Sequence, residues 1–197
     1  MKVLIDAGHG IDTPGKRSPD GKFREYLWNR DVAEQILDNL LSCGIDASLV
    51  VKETNDISLR TRVMRVNKVC KEVGASNVIL VSVHSNAAGN GSKWMNAQGW
   101  SCYTSPGKTK ADQLAECMYD WFERVFPHKK MRKDFSDGDR DWEENFYILT
   151  KTQCPAVLLE NFFYDNRDEC RWLLDPTNKV WIAYAATMGL KNYLHLG

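Results

Sequence analysis

The stretch NVILVSVH, Asn77 to His84, holds no polar side chain between Asn77 and Ser82 and then stops on a histidine. An unbroken apolar run of that length reads as a strand buried on both faces, as found at the centre of a parallel sheet covered by helices. Outward from it, strand-length apolar runs alternate with helix-length amphipathic ones. Upstream lie a strand from Val3 to Ala7 and a helix from about Tyr26 to Cys43, with Trp28, Val32, Ile36 and Leu40 on one stripe and Gly44 as its stop. A short strand near Ala47 to Val51 follows, then a helix from about Ser58 with Leu59, Val63, Val66 and Cys70 at helical spacing, closed by Gly74. Downstream, Gly99 to Thr104 reads as a strand and Lys108 to Phe126 as a helix. Phe146 to Leu149 and Ala156 to Glu160 read as two more strands. A helical tail ends the chain, with Pro176 near its start and Val180, Ala183, Thr187 and Leu190 as its stripe. The alternation predicts an α/β fold: a single three-layer domain over residues 1–197, with a mostly parallel twisted sheet of about six strands and helices on both faces.

Composition narrows the function. The 26 basic and 26 acidic side chains cancel, so the chain as a whole has no electrostatic footprint for a nucleic acid. The longest apolar runs fall far short of the roughly 20 residues that a membrane helix needs. Met1 stands directly before the first strand with no signal-like segment, so synthesis in the cytoplasm is expected. Six cysteines without a CxxC pair read as buried, reduced thiols rather than a disulfide framework or redox motif.

In open α/β sheets ligands bind outside the carboxyl ends of the strands. Three apolar strands here end in polar residues: Asp6 to His9, Ser82 to His84, and Leu159-Glu160. Two of the chain's four histidines therefore stand at such ends. A catalytic zinc takes three protein ligands and keeps a fourth position for water. His9 and His84 supply two nitrogens. The third ligand must return to the same end of the sheet, and Glu25, which closes the long loop GHGIDTPGKRSPDGKFRE, is well placed, with Asp12, Asp20 and Asp31 as weaker alternatives. Such a centre would hydrolyse an amide, and the second carboxylate needed to move the proton fits Glu160. Spacing this wide is not a compact signature, and two histidines at strand ends can equally be polar groups satisfied by backbone.

The segments VLIDAGHG, FRE, ETNDISLRTRVMRVN, SVHSNAA and PAVLLENFF, in this order, resemble the zinc-dependent N-acetylmuramoyl-L-alanine amidases of the Amidase_3 type over nearly the whole chain. The resemblance implies one zinc per chain held by His9, Glu25 and His84, with Glu160 completing catalysis. It also implies a reaction, cleavage of the bond between N-acetylmuramic acid and the L-alanine that begins the stem peptide of peptidoglycan. The cell wall would then be the site of action. The loop after His9 is longer than the short Gly-rich turn of many relatives, and ENFF stands where relatives often have E-x-G-F. Two other functions compete: a zinc peptidase or deacylase on a related scaffold, and an inactive wall-binding protein. The 16 positions between His9 and Glu25 argue against the HxxE pattern of metallocarboxypeptidases, and a binder has no use for a general base.

Other residues have two readings each. Trp94, Trp100 and Trp142 could line a glycan groove or pack structurally. The stretch HKKMRKDFSDGDRDWEEN is a solvated loop or a flap over the stem peptide. Arg62 and Asn67 read as a structural helix face, and His128 and His195 as bystanders to the metal. Tyr164, Asp165 and Asn166 would bind substrate or turn the chain. Asp6, Ser82 and Asn86 are near enough to orient the histidine rings through their second nitrogens.

Overall fold

The computed structural model describes residues 1–195, and the last two residues of the predicted domain lie outside it. Strand β1 (Lys2–Ala7) leads through the long loop into helix α1 (Glu25–Ser42), then β2 (Ala47–Leu49) and α2 (Leu59–Val73). Strands β3 (Val78–Asn86) and β4 (Ser101–Thr104) precede α3 (Lys110–Val125). The chain closes with β5 (Trp142–Glu143), α4 (Tyr147–Thr150), β6 (Ala156–Phe163), α5 (Arg167–Leu174) and α6 (Pro176–His195).

The six strands form one sheet in the order β2-β1-β3-β6-β4-β5. The first four in that order run parallel, β4 is antiparallel to β6, and β5 is parallel to β4. Period-two alternation sorts the apolar side chains of the central strands onto two faces. Val3, Ile5, Ile79, Val81, Val157 and Leu159 pack with side chains from α1, α3 and α6. Leu4, Val78, Leu80 and Leu158 pack instead with Val63 and Val66 of α2 and with Ile148 and Leu149 of α4. These are the three predicted layers.

Local chemistry sets the helix ends. The Ser58 hydroxyl accepts the Thr61 amide at the start of α2, and Thr109 with Asp112 forms a reciprocal capping box at the start of α3. In α6, Ala183, Thr187 and Leu190 are buried as expected, whereas Val180 lies in solvent.

One predicted strand is wrong. Phe146 to Leu149 is not extended: Leu149 N–H and Thr150 N–H both donate to Phe146 O, making the single turn of α4. Its buried side chains, Ile148 and Leu149, are consecutive, which a one-sided strand cannot achieve. Four apolar residues in a row carry no period that separates the two structures. The sixth strand is Trp142–Glu143, paired to Tyr103 and Thr104 inside the stretch read as a charged loop.

Candidate metal centre

Three parallel strands bring chemistry to one edge. His84 lies within β3, which runs on to Asn86, and its register partner on β6 is Glu160. Past the end of β1 the backbone turns through Gly8 and into His9, whose φ of 64° is in the left-handed region. A side chain at Gly8 would overlap the His84 imidazole, so only glycine lets the two strand ends approach. Arg62, on α2 and 2% exposed, holds this turn from behind. Its guanidinium donates to Asp6 Oδ1 at 2.7 Å, Ala7 O at 2.6 Å and His9 O at 3.3 Å, and to Asp56 Oδ1 at 3.1 Å. Ser82 Oγ donates to the other Asp6 oxygen at 2.8 Å.

Glu25 is the first residue of α1, where the positive end of the helix dipole favours a carboxylate. It is 1% exposed and faces both imidazoles, with His84 Nδ1 3.2 Å and His9 Nε2 3.4 Å from Oε1. The rings stand edge to face with centroids 5.0 Å apart. Glu25 Oε2 is buried with no hydrogen-bond partner, and Lys16 Nζ lies 3.8 Å away. Burial alone would raise the Glu25 carboxyl, but His84 and His9 outweigh it and hold it well below the usual carboxylate range. Burial lowers His9 despite Glu25, while for His84 the pull of Glu25 overcomes burial and raises it.

The donor set fits a divalent cation. His9, Glu25 and His84 offer ligand atoms all within 4.8 Å of one another. A tetrahedron with bonds of about 2.0–2.1 Å has edges of about 3.3 Å. The two measured His–Glu separations, 3.2 and 3.4 Å, bracket that edge. Asp12, Asp20 and Asp31 are elsewhere: Asp12 accepts the Asp56 amide, Asp20 the Ser18 hydroxyl, and Asp31 pairs with Lys179.

Glu160 opens on the same cavity of about 470 Å³, which Lys16, Arg62, Tyr147 and both histidines also line. Its Oε2 is buried without a partner. Burial pushes the Glu160 carboxyl up to about 7, with His84 opposing and Glu25 adding to the rise.

Other expectations divide. Arg62 is structural, as read, and Asn67 joins α2 to the approach to β6 through Lys151 O and Gln153 N. Trp100 lies in the core, stacked on Phe122 at 4.0 Å, and Trp94 is covered by Arg167. Trp142 is on the β5 edge, and none of the three lines the cavity. Tyr164 stacks on Phe23, Asp165 accepts the Gly89 amide, and Asn166 caps α5, so this trio turns the chain. Asp6 and Ser82 serve the Arg62 clamp, and Asn86 Oδ1 takes the Ala87 amide, so among the described residues these three make no hydrogen bond to a histidine ring.

Sequence reasoning missed two residues. Asn161, fully buried, donates to His84 O at 2.9 Å and accepts from Trp100 Nε1 at 3.1 Å, fixing β3 against β6 beside Glu160. A lone amide inside the apolar run AVLLENFF was the signal for it. Lys16 was passed over as one polar residue among many in its loop.

Fold and site together define a class: an α/β protein in which strand ends and the start of a helix bring a His-Glu-His cluster and a free carboxylate together at one end of the sheet. Within that class, the chain belongs to the N-acetylmuramoyl-L-alanine amidase family, whose model matches residues 3–192. Among curated proteins it is 27% identical over 199 residues to the N-acetylmuramoyl-L-alanine amidase CwlM of Bacillus licheniformis, covering 100% of this chain and 70% of that one. It is 25% identical over 198 residues to the endolysin of Bacillus phage SPP1, covering 98% of this chain and 66% of the endolysin. Among solved structures, the catalytic domain of CwlV, an N-acetylmuramoyl-L-alanine amidase from Bacillus (Paenibacillus) polymyxa var. colistinus, superposes with a TM-score of 0.80 at 25% identity, covering 100% of this chain and 99% of that one.

Proposed function

We propose that this chain is a single catalytic domain that hydrolyses the amide between the lactyl group of N-acetylmuramic acid and the stem-peptide L-alanine of peptidoglycan, at the cell wall. In this reading one zinc is held by His9, Glu25 and His84, and Glu160 is the general base. The observation that carries it is the clustering of the three donors, two of which, His9 and His84, line one cavity together with the unpartnered carboxylate of Glu160. Family membership supplies the substrate class.

Zinc, when bound, supplies a Lewis acid that polarises an amide carbonyl and acidifies a water. The chain's own residues do the rest. Glu25, rigid at the helix start, keeps the two imidazoles turned toward one point, and the Arg62 clamp and Asn161 hold the backbones of His9 and His84. Glu160 takes the proton of the attacking water and returns it to the leaving amine. A carboxyl pushed toward neutrality is suited to both transfers. Lys16 brings positive charge to the cavity, complementary to the carboxylates of a stem peptide. Tyr147 and Phe146 of the α4 turn give the opposite wall an apolar surface.

The test is digestion of purified peptidoglycan with and without a chelator, followed by zinc add-back and mass spectrometry. Stem peptides beginning in free L-alanine should appear, vanish with the chelator and return with zinc. Bound zinc with no such peptides would move the substrate to another amide or make the protein a binder.

A further inference from the structure

The loop between α3 and β5 holds a second cluster of acids, separate from the first. Its sequence DFSDGDRD places Asp134, Asp137, Asp139 and Asp141 within eight residues. The structure ties part of this loop down. Arg140 is spent on Glu116, Asp120 and Glu123 of α3, and Asp134 N–H donates to Arg140 O. That brings Asp141 inside, 2% exposed, where its Oδ2 accepts the Thr104 hydroxyl.

The remaining oxygens are unpaid. Asp141 Oδ1 and Asp139 Oδ1 are both buried with no partner, and the Asp139 carboxyl is near enough to help push that of Asp141 up. Two neighbouring carboxylates with buried oxygens are costly to keep charged together unless something positive stands near them. The nearby cations are committed elsewhere: Arg140 to α3, and Arg132 over the rings of Trp142 and Phe163. What is missing is a proton or a metal ion. An all-oxygen set of two carboxylates and a hydroxyl suits a hard cation, not zinc.

We propose that Asp139 and Asp141, with Thr104 beside them, bind a hard divalent cation, calcium by preference, that pins the loop onto the β4–β5 edge. The edge needs such a pin, since β5 is only two residues long. The site is independent of the His-Glu-His cluster. Because β4 runs antiparallel to β6, with Ser101 opposite Glu160 and Tyr103 opposite Leu158, Thr104 lies three positions further from Glu160 along β4, and it is not among the residues that line the cavity. The ion acts on stability and leaves the chemistry alone.

The test uses the zinc-loaded protein. Millimolar calcium should raise the melting temperature saturably, by about 5 °C when well above its dissociation constant. Terbium should bind at the same place and emit on tryptophan excitation, because Trp142 adjoins Asp141 in the chain, and calcium should quench that emission by competition. Asp139→Asn, at a half-buried position that tolerates the change more readily than Asp141→Asn, should abolish both responses and leave peptidoglycan hydrolysis in calcium-free buffer unchanged. No calcium response between pH 6 and pH 8 would overturn the proposal in favour of a shared proton. So would a calcium response that survives in both Asn variants.

Discussion

Glu25 and Glu160 are two glutamates beside His84 with opposite electrostatic fates. The first is held charged by two imidazoles, the second is pushed toward its neutral form by burial. The reading of Glu160 as base and Glu25 as ligand therefore makes separable predictions. Glu160→Gln should lower turnover by about 10²–10⁴-fold while zinc, measured by elemental analysis, stays bound. His84→Ala should lose zinc and activity together. A general base works as the carboxylate, so kcat/KM should fall as pH drops through the Glu160 value. A bound cation pulls that value down, so the acid limb of the zinc enzyme should have its midpoint below about 7. The Glu160→Gln variant should lack the limb, and its presence there would assign it to another group. The four residues proposed for the site could be nominated from the sequence, because a polar residue at the end of an apolar strand is a local signal and the family resemblance selected Glu25 over nearby acids. Asn161 and Lys16 act through contacts made only after folding, which local pattern does not encode.

At the scale of elements, two features of the strand ends carry measurable costs. Phe162 stands in β6 at φ 60°, where relatives with E-x-G-F have glycine. The left-handed backbone is thus adopted here without the residue that takes it freely, at a cost of about 1–2 kcal/mol. The ring offsets this: it is fully buried and packs edge to face on Trp172 at 4.8 Å and on Phe126 at 6.1 Å. Losing a buried phenyl costs about 3–5 kcal/mol, so Phe162→Gly should be destabilising by about 1–4 kcal/mol in urea melts despite relieving the backbone. A stabilised variant would show that strain dominates. The second feature is Arg62, buried against Asp6. Arg62→Met should cost about 3–5 kcal/mol by leaving a buried carboxylate unpaired, and adding Asp6→Asn should recover part of it. Most elements were legible because their periods are long enough to read, as in α1. The four residues FYIL were not, and β5 was hidden because its pairing is set by Tyr103 and Thr104, some forty positions away in the chain.

For the molecule as a whole, stability should depend on pH through Asp141. Burial and Asp139 push its carboxyl up to about 7, against an ordinary value near 4 in an unfolded chain. Between those values the folded state binds the extra proton, so this group's contribution is present below about pH 4 and is lost as pH rises through about 7. In buffer with chelator, the melting temperature of Asp139→Asn should therefore gain on that of the native protein between pH 5 and pH 8. Parallel curves would show that the two acids do not share a proton. The layered architecture was legible from alternation alone, whereas the strand order was not, since nothing local says which strands become neighbours. That order has one more consequence, in time. Among the described residues β6 is made after the other five strands, yet it takes the place between β3 and β4. The sheet waits for its middle, and a nascent chain holding His9, Glu25 and His84 still lacks Glu160. In the proposed reading, a hydrolase built in this order has its full site only once β6 has been made.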